Sequence, residues 1–523
     1  MLKYCESNGI KDGFSKIHGV EYTWILVQQL ALISKYPAIY WNTAVLLLES
    51  GALDDTEDDV QNKTKEKGTK YGEVATAISK LQDKGVKISL PDINKAELGF
   101  TPFEKENEIM FGLKGLIKIN NDISKTIIEN RPYSSLKDFH DRLVEVKREV
   151  IGSTGKKQMK SLVSSTQTII LIKAGAFDRL ENKPREKILE DYLKLLYPLK
   201  KEISASNFDR IEELGIIPED YRIYIRYKNF KNFIESLPKI TEESVSIVKK
   251  TGEEKIVKQV WLKIDCSDDE MTDYTLNFIN EHFIEHMKEN VGYKYTEDGT
   301  MLIAYNTKKK GTILNVYEEY MLEFKKWTNS KECLDLYNKL NFDEIKNKYM
   351  NGSISKWEME SMSIYYSGHE LKDIDFEKYG IIDFNTLPEE PIVVGYTKAK
   401  NSDIKYPKFE LVRIVGTVLD RDRNKHSVTL LTPTGVVNIK FYSGQFSFYD
   451  KTISESTEEG KKTVLEDGWF KRGNRILVTG FRRGDQFKPK KYSNSIYKHT
   501  VQLIEEVDGK ELVLRSERIR VSE

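Results

Sequence analysis

Apolar residues recur at helical spacing from Val20 to about Ser50, with Trp24, Val27, Ala31 and Leu46 on the pattern and Pro37 dividing it into two helices. The run Asp54 to Lys70 is charged and poor in apolar residues, so it reads as a loop or solvated connection. A helix over about Tyr71 to Lys84 leads into VKISLPDINKAELGF and EIMFGL, short strand-like runs broken by Pro91 and Asp92. Two short helical patterns flank a polar turn between Phe111 and Arg131, and a further helical stretch ends in LIKAGAFDRL near Leu180. From about Glu186 to Asn351 strand candidates (KQVWLKIDC, TMLIAY) alternate with helix candidates (YTLNFINEHFIEHMKEN, VYEEYMLEFKKWTNSKECLDLYNKL). Phe409 to Glu505 turns to strand pattern. FELVRIVGTVL, HSVTLLTP, VVNIKFY, NRILVTGFRR and HTVQLIEEV are five candidates, with a charged loop at Ser454 to Glu466. The pattern predicts an α+β multidomain chain: a mainly helical first part, an α/β middle and an all-β C-terminal module.

Composition narrows this picture. The chain has 523 residues, room for several domains. With 39% apolar and 31% charged residues, it has no window approaching the run a membrane helix needs, and its N-terminus lacks the features of a secretion signal or transit peptide. A cytoplasmic location, in a bacterial cell or phage-infected host, is the expectation. Cys5, Cys266 and Cys333 are far apart, which argues against a disulfide framework or zinc knuckle. Basic and acidic side chains balance at 82 each, so only local charge bears on nucleic-acid binding. Between Lys471 and Lys498 nine Lys or Arg face the single acid Asp485.

Three places carry candidate chemistry. Lys16 and His18 stand immediately ahead of the helix expected near Val20, where unpaired backbone N–H groups, the helix dipole, a Lys charge and an imidazole can hold a phosphate; a plain surface reading competes. FGLKGLIKINNDISKTIIENR resembles a helix-hairpin-helix, a unit whose turn grips a DNA phosphate through backbone N–H groups. Its usual Gly-hydrophobic-Gly turn is replaced by Lys118, Ile119 and Asn120, and Asn120, Asn121 or Asp122 can cap the second helix. DNA contact through Lys114, Lys118 and this turn stands against a purely structural hairpin. The five-strand module has the count and spacing of an OB-fold-like barrel. After its fourth strand, Arg482, Arg483, Lys488, Lys490 and Lys491 could track a backbone while Phe481, Phe487 and Tyr492 stack bases, the competing reading being a solvated basic loop. DIDF at Asp373 to Phe376 has the Asp-x-Asp form of a metal site but lies far downstream of Lys16 and His18, just after SGHEL, and His282 and His286 have no third ligand fixed by spacing. Neither is taken as a metal site, and no phosphate loop or nucleophile elbow is present.

The order of residues adds a resemblance. Gly-Phe-x-Lys-x-His at 13 to 18, followed by Tyr22, Gln29, Lys35, Tyr36 and Pro37, is similar to the fingers of C-family replicative DNA polymerases of bacteria and phages, whose catalytic chain is the polymerase III alpha subunit. GVKISLPDIN, FGLKGLIKI and LIKAGAFDRL resemble successive segments of that family. WEMESMSIYYSGHEL matches another at Glu358, Glu360, Tyr365, Ser367, Gly368, His369 and Leu371, with Glu370 replacing the usual Pro. The resemblance implies the C-terminal half of such an enzyme: fingers over 1–110, helix-hairpin-helix over 111–180, an unassigned segment over 181–351, a connecting segment over 352–405 and an OB-fold-like domain over 406–523.

The family's palm and its metal aspartates have no counterpart here. The resemblance therefore implies no catalytic residue in this chain, with Mg2+ belonging to the assembled polymerase and a palm-bearing subunit as partner. Met1 within a family domain suggests a polymerase encoded as two polypeptides or a partial sequence. Lys16 and His18 would approach the triphosphate of the incoming nucleotide and Tyr22 would shape its pocket, with primer-template DNA held by the modules above. No convincing copy of the family's clamp-binding peptide is found between the hairpin and the barrel; QQLALI at Gln28 to Ile33 lies in the first helix, where packing is expected. The alternative is a non-catalytic DNA-binding protein derived from a polymerase.

Overall fold

The computed structural model describes residues 16–52, 69–151, 155–204, 207–225, 230–250, 252–264, 289–305, 313–398, 404–456, 462–490 and 500–519. They form two compact units, one made of Met1–Tyr192 with Gly352–Glu523 and the other of Leu193–Asn351.

The first unit opens with helices Lys16–Lys35 and Ala38–Ser50, separated at Pro37. Helix Tyr71–Asp83 buries Val74, Ala75, Ile78 and Leu81, a stripe at the helical repeat. The small β elements form a three-stranded sheet with Glu108–Met110 between Lys87–Ser89 and Thr101–Phe103. Helix Asn121–Glu129 follows the hairpin turn, and helix Ser165–Lys173 starts on a capping box between Ser164 and Gln167.

The C-terminal part is a closed barrel of five strands: β1 (Val412–Asp422), β2 (Ser427–Thr432), β3 (Gly435–Lys440), β4 (Arg475–Arg483) and β5 (Gln486–Pro489). β1 pairs with both β2 and β4, while β3 and β5 run parallel and close the ring. Helix Ser443–Asp450 lies in sequence between β3 and β4. This order is that of an OB-like fold. Val418, Val428, Leu430, Ile439, Val478 and Phe487 fill its interior. Closure demands a glycine at 480, where a Cβ would lie 2.1 Å from the Lys488 carbonyl oxygen.

Two strand expectations change. HTVQLIEEV is not the fifth barrel strand; Val501–Asp508 pairs with β4 outside the ring and carries Glu511–Arg515 on its other edge. The closing strand is the four-residue QFKP, too short and too basic to register as an apolar run. The charged loop at Ser454 to Glu466 contains a hairpin of Ile453–Ser456 with Lys462–Glu466.

The second unit has a four-stranded antiparallel sheet in the order Lys239–Ile247, Glu254–Ile264, Met301–Ala304, Tyr293–Tyr295. The expected long helix around 316–340 is instead three pieces, Ile313–Tyr320, Leu322–Thr328 and Lys331–Tyr349, the last begun by the Ser330 cap. Tyr221 stacks on Trp327 at 5.0 Å and Tyr224 on Phe324 at 5.5 Å beside a core of Phe208, Ile211, Leu262 and Ile303. His282 and His286 lie outside the described residues. Among the described residues no helix is long and apolar enough to cross a membrane.

Candidate nucleic-acid interface

The first helix departs from expectation at its start. The backbone is already helical at Lys16 and His18, so neither stands in a loop ahead of a helix beginning near Val20. Gly19 is part of the helix, its carbonyl accepting from Thr23 Oγ1 at 2.7 Å. Positions 16 and 18 therefore do not share a helix face, whereas 18 and 22 do. The side chains of Lys16 and His18 lie outside the described residues. From Tyr22 onward the helix is uncovered: Trp24 is 64% exposed and Leu30 65%, and Leu26, Val27 and Ile33 are exposed too. The packing expected for QQLALI is thus absent, because no element of the described chain lies over that stretch. Leu46, in the next helix, is fully buried.

At the hairpin, the first limb is a single 3-10 turn, Leu113–Gly115, rather than a helix. Lys118 takes the left-handed conformation, φ 62°, at the place where the usual motif has glycine. Asn120 Oδ1 accepts from Ile123 N at 3.0 Å and caps the second helix. Lys118 and Asn120 are exposed and can meet a phosphate. Lys114 and Asn121 are 4% and 6% exposed, which withdraws them from the surface role expected of them.

The basic block is divided by the barrel. Arg482 is committed inward: Nη1 donates to the Leu387 carbonyl at 2.8 Å, Nε to that of Gly484 at 2.8 Å, and the guanidinium lies over the Phe384 ring. Phe487, expected as a base-stacking ring, is wholly buried because it is the inward residue of β5. Arg483 is exposed and lies over the rings of Phe409 and Phe481, 5.4 and 6.0 Å from their centroids. Lys488 Nζ donates to Gln486 Oε1, and burial, together with the neighbouring cations Lys440 and Arg483, lowers its pKa. Arg483, Lys488 and Lys440 thus form one cationic cluster, with Lys440 from β3 not foreseen; the parallel β3–β5 pairing brings it there. Lys490 is half-buried, its carbonyl accepting from Gln445 Nε2. Lys491 and Tyr492 lie outside the described residues. Helix Tyr71–Asp83 packs on β1 and β3, and Arg472 covers the Tyr71 ring at 4.2 Å, so part of the outer barrel wall is occupied.

The SGHEL segment holds the unit together. Glu358, fully buried, accepts from Tyr366 N, Ser367 N and Ser367 Oγ at 2.7 to 2.8 Å and pairs with Arg185. His369 Nδ1 accepts from Leu371 N, which leaves Nε2 to donate to the Leu431 carbonyl of β2 at 2.9 Å. Burial lowers the His369 pKa to about 4, so the ring is neutral. Glu370, in place of the usual Pro, accepts from Tyr365 OH. In DIDF, Asp375 caps helix Phe376–Tyr379. Glu358 and His369 belonged to a sequence match without a role; each has one partner from a distant segment, Arg185 and Leu431, which no local pattern reveals.

Residues 85–187 match the helix-hairpin-helix motif family. Over 499 residues, 95% of its length, the chain is 38% identical to a probable DNA polymerase, YorL, of Bacillus subtilis and to a DNA-directed DNA polymerase of Bacillus phage SPbeta, covering 34% of each. Over 204 residues, 38% of its length, it is 28% identical to the DNA polymerase III subunit alpha of Aquifex aeolicus, covering 15% of that protein. The chain spans about a third of the length of the first two relatives.

Proposed function

We propose, starting from a chain that corresponds to a region of the C-family replicative DNA polymerases, that it supplies fingers and DNA-holding modules to a DNA-directed DNA polymerase whose palm is carried on a separate polypeptide. The observation that carries this reading is the Lys16–Lys35 helix. Its apolar side chains are exposed, and a large apolar surface of this kind marks a contact with another polypeptide. Burying one such Leu stabilises an association by about 1.5–3 kcal/mol. By the resemblance the helix belongs to the fingers.

In this reading Lys16 and His18, on different faces of the helix, act together on a triphosphate seated over its N-terminal end, and Tyr22, one turn beyond His18, shapes the pocket. Lys118 and Asn120 meet duplex phosphates, and Arg483 and Lys488 meet a template strand. Mg2+ in the assembled enzyme would sit on palm carboxylates. Among the described residues no three His, Cys, Asp or Glu side chains are placed to hold a metal ion.

The test is primer extension with this chain, a candidate palm polypeptide and the two combined. Synthesis only in the combination supports the reading; no association and no synthesis refute it and favour the non-catalytic DNA-binding alternative. Lys16→Ala in the active combination is expected to raise the nucleotide KM with primer-template affinity preserved.

A further inference from the structure

A two-stranded ribbon precedes the barrel. Val393–Lys398 pairs antiparallel with Lys405–Phe409, and neither strand joins the barrel sheet. Directly opposed residues share a face, and alternation along each strand places Tyr396, Pro407, Lys398, Lys405 and Phe409 together. Tyr396 is 67% exposed. The row continues onto the barrel, because the Phe409 ring lies 4.7 Å from that of Phe481 and the Arg483 guanidinium covers both. The two strands contain three Lys and no acidic residue. Arg482 fixes the approach to the ribbon through its bonds to the Phe384 and Leu387 carbonyls, and Gly484 N donates to the Glu389 carbonyl at 2.7 Å.

A solvent-facing edge needs only charge to stay soluble. Exposed aromatic rings in line with cations, on a ribbon that buries neither face in the barrel, offer instead a π-face for a base and a positive charge for the phosphate beside it. We propose that this face, from Tyr396 and Lys405 to Arg483, is a binding platform for single-stranded DNA, with bases stacked on Tyr396 and phosphates at Lys405 and Arg483. Duplex DNA does not fit this chemistry, since its bases present no free face. The choice of DNA rests on the polymerase reading above; the platform itself rests on the ribbon.

The experiment measures binding of a labelled oligothymidylate of about 16 nucleotides to the full chain by fluorescence anisotropy across a salt series. Tyr396→Ala is expected to weaken binding about fivefold or more, and Tyr396→Phe to bind as wild type, since the ring is what stacks. Tyr406→Ala, on the opposite ribbon face, is expected to leave affinity unchanged. Lys405→Ala and Arg483→Ala are each expected to reduce the slope of log K against log salt by about 0.7. Wild-type affinity in Tyr396→Ala, an equal loss in Tyr406→Ala, or a wild-type chain that binds no single strand would each overturn the platform. None of these outcomes touches the primer-extension result, which decides the polymerase reading separately.

Discussion

Arg185 Nη1 lies 3.2 Å from Glu358 Oε1, a pair 173 positions apart in the chain and buried on both sides. Arg185 also donates to Asp178 through Nη2 at 2.7 Å, so one guanidinium ties the end of the hairpin region to the segment leading into the barrel. A buried pair is weak evidence of net stabilisation, but removing one member leaves an uncompensated charge. Glu358→Ala is therefore expected to cost about 3–5 kcal/mol in urea denaturation. Arg185→Met combined with Glu358→Ala should cost less than the sum of the two single changes, because each single change already loses the same ion pair. Strict additivity would mean the pair is not formed.

His369 gives the unit a pH dependence. Its folded pKa, about 4, lies below the ordinary 6.5 because burial disfavours the imidazolium. Below pH 6.5 the unfolded chain binds a proton that the folded chain does not, so stability falls as pH drops from 6.5 to about 4 and this contribution is flat below. The full loss is roughly 3 kcal/mol. His369→Gln, which keeps an N–H donor, should flatten the stability profile over that window. An unchanged slope would place the titration elsewhere.

Much of this was legible in the sequence. The helix pair around Pro37, the amphipathic helix at Tyr71 and four of the five barrel strands follow from periodicity; all but the first helix bury one face, and the spacing records which. QFKP was not legible: a four-residue strand held by parallel pairing has no alternation long enough to read, and so Phe487 passed for a loop residue. Lys114 and Asn121 looked like surface groups because composition says nothing about a long side chain buried under its neighbours. The exposed first helix has the sequence of a packed one, and its pattern cannot say that no described element covers it.

That exposure makes a prediction of its own. Leu26→Gln and Leu30→Gln remove apolar groups that touch solvent, so the stability of the isolated chain should stay within about 0.5 kcal/mol. Association with a palm polypeptide should weaken by at least tenfold for each, from the burial lost. Titration calorimetry with the partner checks this, and an unaffected association constant would show that the helix contacts something else.

Lys118 occupies a left-handed conformation that a side chain ordinarily avoids at a cost of about 1–2 kcal/mol. Glycine there would relieve the strain while adding unfolded-state entropy of about 0.4–1 kcal/mol. Lys118→Gly should hence leave stability within about 1 kcal/mol of wild type, and Lys118→Val should be clearly less stable. Both variants lose the charge, so both should weaken duplex binding to a similar degree. If only Lys118→Val bound weakly, the loss would come from the turn and not from the ammonium.

The barrel closure can be tested at Phe487, fully buried among Val428, Ile439 and Val478 although its neighbour Lys488 faces outward. Truncating a buried aromatic side chain costs about 3–5 kcal/mol, from lost transfer energy and the cavity left behind. Phe487→Ala should accordingly lower the unfolding midpoint strongly, whereas a base-stacking residue on a loop would leave it alone. Lys488→Ala, one position along, should be neutral or slightly stabilising because it removes a cation crowded by Lys440 and Arg483. The opposite signs of two adjacent substitutions follow from strand alternation in β5. A Phe487→Ala protein that unfolds like wild type would mean that QFKP does not close the ring.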